Sequence, residues 1–225
     1  EDGKSLVTTL DSYIQTELES IIELAANNHG AQNRVTGIVM NIHTGAIYAM
    51  GTTSPFDPNS PYELSTFYKE KLSNSGYEVS SKEYSEYKTS LMQNMWSNKA
   101  VSETYEPGSV FKVFTTAMAL EEGLATNNTS FSCRGSINVG GWNIRCHTRS
   151  HMGVLNLPQA ISNSCNPYFV QLGQRIGGDT FYKYFYGFGF TEKTGIDMSG
   201  EMSNAGLYHS QSTLIQQDSS LATAS

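Results

Sequence analysis

Ser109 and Lys112 are the residues whose types and spacing most directly suggest covalent chemistry. They follow Glu106-Pro107-Gly108, a turn signal, and open an apolar run from Val110 to Leu120 that reads as a helix. Three positions apart, they share one face of its first turn. A serine hydroxyl is a poor nucleophile until a base takes its proton, and a lysine can be that base once burial lowers its pKa. Alone, S-x-x-K is a weak pattern whose bland reading is a helix-capping serine beside a solvated lysine. A second element lies downstream, Ser164-Cys165-Asn166, between two helical segments. A hydroxyl there can relay a proton to a leaving amine, and a carboxamide can hold both a peptide backbone and the lysine. Its bland reading is an interhelical turn.

The elements that must position these residues are partly legible. Asp11 caps a predicted helix with apolar positions Ile14, Leu18, Ile21, Ile22 and Ala25, ended by Asn27-Asn28-His29-Gly30. Arg34 to Met50 reads as a hairpin turning at His43-Thr44-Gly45, with His43 a turn residue. Residues 54–100 open with Pro55, Pro58 and Pro61 and are polar with poor periodicity, apart from a short helix near Tyr62–Leu72. They read as a mobile surface excursion, with a substrate-gating lid as the rival, and Trp96 packs it down. The nucleophile helix ends near Glu121-Glu122-Gly123, and residues 124–156 are short strands and loops. Helices start at Asn156-Leu157-Pro158 and at Asn166-Pro167, and Asp179 or Thr180 caps an aromatic helix from Phe181 to Tyr186. Residues 187–225 read as loops and short elements, with no internal repeat.

The chain has 225 residues, enough for one domain with a sizeable core. Its net charge of −7, from 14 basic and 21 acidic residues with no Lys/Arg cluster, argues against nucleic acid as a partner. No stretch approaches the apolar length of a membrane span, and Glu1-Asp2-Gly3-Lys4 has no signal-peptide pattern, so any targeting segment is expected outside this sequence.

Cys133, Cys146 and Cys165 are the three cysteines, with His147 and His151 between them. Thiolate and imidazole converging on one loop region suit tetrahedral zinc. Two alternatives to zinc stay open from the spacing: a Cys133–Cys146 disulfide that leaves Cys165 free, or three unmodified packing thiols.

The run Tyr105-Glu106-Pro107-Gly108-Ser109-Val110-Phe111-Lys112 closely resembles the nucleophile segment of penicillin-binding proteins. Ser164-Cys165-Asn166 resembles that family's S-x-N element in type, spacing and setting. The hairpin is similar to the family's D-x-x-T-G-x-I-x-A-M pattern, with Asn41 in place of the acidic residue. Phe188 to Asp197 resembles a structural loop of the form F-G-F-G-x-x-T-G-I-D. Lys193-Thr194-Gly195 inside it is therefore not the third, K-T-G type, motif, which is expected beyond this sequence, and Leu221 to Ser225 resembles a segment well upstream of that motif.

The resemblance implies an α/β fold of the penicillin-binding protein and serine β-lactamase type: an antiparallel sheet flanked by helices plus a helical subdomain, here incomplete at the C-terminal end. It divides residues 1–225, a partial transpeptidase domain, into a helix and hairpin (5–53), the excursion (54–100) and a catalytic helical region (101–225). It implies a class B peptidoglycan D,D-transpeptidase of elongation or sporulation type. Its substrates are stem peptides ending in D-Ala-D-Ala, and β-lactams acylate it as donor mimics. Ser109 is the implied nucleophile, Lys112 its base, Ser164 the proton relay and Asn166 the orienting amide. Some elongation and sporulation types carry zinc at positions matching Cys133, Cys146, His151 and Cys165. His151 corresponds to their G-H-G histidine, and His147 is the weaker candidate. Such zinc is structural, and the chemistry requires no cofactor. The family further implies cell-wall elongation or division partners, a membrane anchor outside this chain and an extracytoplasmic catalytic domain. Without the third motif the polypeptide alone is expected to acylate poorly or not at all. A β-lactamase or β-lactam sensor on the same scaffold is one rival; no Glu-x-x-x-Asn type segment follows Ser164 to supply a deacylation base. A non-catalytic cell-wall scaffold is the other.

Overall fold

The computed structural model describes residues 3–148 and 153–216. The described residues form two compact units: one runs to Thr104 and regains Met198–Met202, and the other holds those from Tyr105 to Asp197 and from Ser203 to Gln216. Strands of the described residues pair as three two-stranded antiparallel ladders.

The first unit begins with α1 (Ser12–His29), where the Asp11 side chain accepts hydrogen bonds from the amides of Tyr13 and Ile14, and left-handed Gly30 closes the far end. Leu18 and Ile22 are buried with Ala49 of the hairpin. Ile21, which the spacing placed on the same face, is instead 59% exposed, because only the narrow i, i+4 stripe of Leu18 and Ile22 meets the sheet. The hairpin is β1 (Thr36–Met40) against β2 (Ile47–Thr52), with the register shifting between Val39 and Met40. At its turn the Asn41 carboxamide oxygen accepts from the amides of His43 and Thr44, so the residue that replaces the family's acid still builds an Asx turn.

Beyond the hairpin lie α2 (Thr66–Ser73), α3 (Lys82–Trp96) and the single turn α4 (Lys99–Ser102). The third of these helices was not expected from the sequence, and neither was α3. Only Leu91 and Met95 of α3 are buried, too sparse a stripe to read as periodic, although its Ser81 cap, which accepts from the Tyr84 amide, was a usable signal. Leu64, Tyr68, Leu72, Leu91 and Met95 form a small separate core. Trp96 donates its indole N–H to the Pro61 carbonyl at 2.7 Å and meets the Tyr62 ring edge-on.

The second unit carries the catalytic candidates. Gly108, at φ 57°, enters a 3-10 turn (Gly108–Phe111) that runs straight into α5 (Lys112–Glu121). Four short strands follow: β3 (Ser130–Cys133), β4 (Ser136–Val139), β5 (Trp142–Arg145) and β6 (Gly153–Asn156), pairing β3 with β6 and β4 with β5. Asn156 and Gln159 form a capping box on α6 (Leu157–Ser162). Next come α7 (Asn166–Ile176), α8 (Gly178–Gly187) and α9 (Gln211–Gln216). α8 starts earlier than expected: Gly177 is its cap and Asp179 lies inside its first turn, where a carboxylate suits the positive end of the helix. Tyr168, Phe169 and Leu172 of α7 are fully buried beside Met118 and Ala119 of α5. Phe111, Phe114, Phe181, Phe185 and Phe190 stack around the same core, so the aromatic helix is packing, as its pattern suggested.

Candidate active site

A 3-10 turn has three residues per turn, so its side chains at i and i+3 eclipse. That geometry sets Ser109 directly over Lys112, more tightly than the α-helical spacing first suggested. Ser109 is exposed, while Lys112 is only 3% exposed. Lys112 Nζ lies 3.1 Å from Ser109 Oγ.

The second element arrives on the other side of the amine. Ser164 holds φ 48°, a left-handed conformation that costs a residue with a Cβ about 1–2 kcal/mol. It turns the chain between α6 and α7, fixed by Ser164 N–H to Ile161 O at 2.9 Å and Cys165 N–H to Ala160 O at 3.0 Å. The bend aims three oxygens at Lys112 Nζ: Ser164 O at 3.0 Å, Ser164 Oγ at 3.1 Å and Asn166 Oδ1 at 2.5 Å. The other end of the Asn166 carboxamide donates to the Arg145 carbonyl at 3.0 Å, tying the amide to the end of β5. Sequence reasoning missed this tether, since a backbone carbonyl leaves no trace in residue type. It also missed Phe169, whose buried ring lies 5.5 Å below the amine.

Burial lowers the Lys112 pKa, with Cys146 and Cys165 opposing that shift. The surrounding oxygens give the lowered pKa a chemical use. Ser164 O and Asn166 Oδ1 can only accept, and a neutral amine has two N–H bonds to give them. Its lone pair is then left to face the hydroxyls of Ser109 and Ser164, where it can take a proton from one and return it to the other.

Cys133, Cys146 and Cys165 converge behind the bend, their sulfurs all within 4.8 Å of one another. None is in a disulfide, so the Cys133–Cys146 bridge is not formed. Cys165 is fully buried, and that burial drives its thiol pKa up to about 12. His147 is not among the converging ligands, and His151 lies outside the described residues. Lys193-Thr194-Gly195 falls in a loop after α8, and the 221–225 segment also lies outside the described residues.

A family model described as the penicillin binding protein transpeptidase domain matches residues 35–223. Stage V sporulation protein D of Bacillus subtilis is 34% identical over 202 residues, covering 89% of this chain and 27% of that protein. Peptidoglycan D,D-transpeptidase MrdA of Escherichia coli is 26% identical over 212 residues, covering 89% of this chain and 28% of that protein. The fold superposes on penicillin binding protein 3 from Mycobacterium tuberculosis, solved in complex with aztreonam, with a TM-score of 0.73 and 26% identity over 96% of this chain and 42% of that one. The chain belongs to the penicillin-binding protein transpeptidase domain family and has its α/β fold. It spans little more than a quarter of the length of these curated relatives.

Proposed function

We propose that this chain carries the nucleophile and proton-relay half of a peptidoglycan D,D-transpeptidase site. The observation that carries the reading is a single buried amine within hydrogen-bond reach of Ser109 Oγ, Ser164 Oγ and Asn166 Oδ1. Ser109 Oγ attacks the penultimate carbonyl of a stem peptide ending in D-Ala-D-Ala, and Lys112 Nζ takes the hydroxyl proton. Ser164 passes a proton to the nitrogen of departing D-alanine, which leaves an ester on Ser109. An amine from a neighbouring stem attacks that ester, forms the cross-link and frees the hydroxyl. The Asn166 carboxamide holds the amine in register throughout. β-Lactams enter the same sequence as donor mimics and stall at the ester. The similarity to a stage V sporulation protein and to peptidoglycan D,D-transpeptidases supports a wall-building role outside the cytoplasmic membrane, alongside elongation or division proteins. Among the described residues no helix is long and apolar enough to cross a membrane.

The test is covalent labelling of the full-length protein by a fluorescent penicillin. A stable adduct that disappears in Ser109→Ala supports the reading. Undiminished labelling in that variant overturns it, and rapid release of the label assigns a hydrolase instead.

The three gathered sulfurs also support a structural zinc site. Sulfurs bound tetrahedrally at about 2.3 Å from zinc sit about 3.8 Å apart, which fits sulfurs already within 4.8 Å. Cys133, Cys146 and Cys165 would supply three ligands and His151 the fourth. The metal would brace the bend from behind and take no part in acyl transfer. Elemental analysis of purified protein, showing about one zinc per chain that is lost in Cys165→Ala, checks this.

A further inference from the structure

The helices α2 and α3 have no part in the reaction proposed above, yet they help enclose a cavity of about 370 Å³ whose wall includes Arg34, Phe67, Lys71, Asn94, Lys99 and Glu103. That volume falls in the range of small-ligand sites, about 300–1,000 Å³. Its charge is the unusual feature. The chain as a whole carries −7, but this wall has three cations against one carboxylate.

Glu103 is shared between two of those cations. Arg34, only 6% exposed, reaches Glu103 Oε1 through Nη2 at 3.3 Å, and Lys99 pairs with Oε2. Arg34 also donates from Nη1 to Ser97 O at 3.0 Å and from Nη2 to Ser97 Oγ at 3.1 Å. A guanidinium has five N–H donors, so two are not used by these bonds. Lys71, the third cation, is partly buried with its ammonium 4.5 Å from the centre of the Phe67 ring. Among the described residues no carboxylate lies within ion-pair distance of it. Three cations gathered around one half-open cavity repel one another where a single carboxylate cannot offset them all, and an anion seated among them would be attracted to all three.

We propose that this cavity is a binding site for a small multivalent oxyanion, carboxylate or phosphate, held by Lys71, Lys99 and the spare donors of Arg34. The exposed Asn94 carboxamide adds an uncharged donor at the rim. The 54–100 segment, which supplies Phe67, Lys71, Asn94 and Lys99, then has a task independent of acyl transfer.

Calorimetric titration of the full-length protein at fixed ionic strength, with inorganic phosphate in one arm and citrate in the other, tests it. Saturable one-to-one binding with a Kd of about 1 mM or tighter is expected in at least one arm, and the ranking of the arms separates a phosphate source from a carboxylate one. Lys71→Glu, near the end of α2, should weaken that binding about tenfold or more, and Lys71→Met by less. Lys88→Glu, on the exposed surface of α3, should leave it unchanged. Melting curves without anion verify that the variants fold. Absence of saturable heat in both arms overturns the proposal, as does an equal loss in the Lys88 variant.

Discussion

Replacing Asn166 by aspartate tests the base assignment with the smallest change of shape. Asn166 Oδ1 stands 2.5 Å from Lys112 Nζ, so Asn166→Asp puts a full negative charge where a carbonyl dipole now sits. At an effective dielectric near 20, unit charges about 4 Å apart attract by about 4 kcal/mol, which favours the ammonium and raises the amine pKa. Acylation through a neutral amine scales with its unprotonated fraction, so the variant should react up to about a thousandfold more slowly at pH values where the wild-type amine is still mostly protonated. Sign and shape are both fixed. The wild-type rate should climb with pH and level off below the ordinary lysine value of 10.5, because burial lowers this pKa. In Asn166→Asp the climb should move to higher pH. Asn166→Ala removes the same hydrogen bonds, including the one to Arg145 O, without adding charge, so its rate falls with no alkaline displacement. The assay is the second-order rate of penicillin acylation of the full-length protein from neutral to alkaline pH. If the aspartate and alanine profiles coincide in shape, Lys112 is not the base in this arrangement.

Ser164→Gly relieves left-handed strain that Ser164→Ala keeps; the glycine variant should be more stable by about 1 kcal/mol in chemical denaturation while both lose turnover. Because the folded pKa of Lys112 is lowered and the unfolded one is ordinary, the unfolded chain binds more protons between the two values. Wild-type stability should therefore rise with pH across that window up to 10.5, a slope that urea titrations should find missing in Lys112→Met. Gly178→Ala would place a Cβ 2.8 Å from Leu214 O, a backbone contact that cannot rotate away, and should cost about 1–3 kcal/mol in thermal or chemical unfolding.

Much of the fold was readable where its signals are local. Asp11, the Asn156–Gln159 pair and Pro107-Gly108 act within a few residues of the structure they specify. The serine–lysine pair and the Ser164–Asn166 bend were legible as chemistry, and the fold brings both serines and the asparagine to one amine. What escaped depends on partners far along the chain or on backbone atoms. The Arg145 carbonyl that holds Asn166 has no side-chain signature. The cysteines permitted a disulfide by spacing, but folding set all three sulfurs together without joining any. α3 escaped because two buried residues, Leu91 and Met95, suffice when the partner helix supplies the rest of a small core.

One side-chain amide, that of Asn166, spans from the reactive amine to the last residue of a hairpin strand. A rigid planar group cannot lengthen, so pulling that strand outward by about an ångström must sacrifice either its grip on the nitrogen or its grip on the carbonyl. Occupancy along that strand and proton affinity at Lys112 are therefore mechanically linked, and an inhibitor that wedges the strand aside would disarm the nucleophile without touching it.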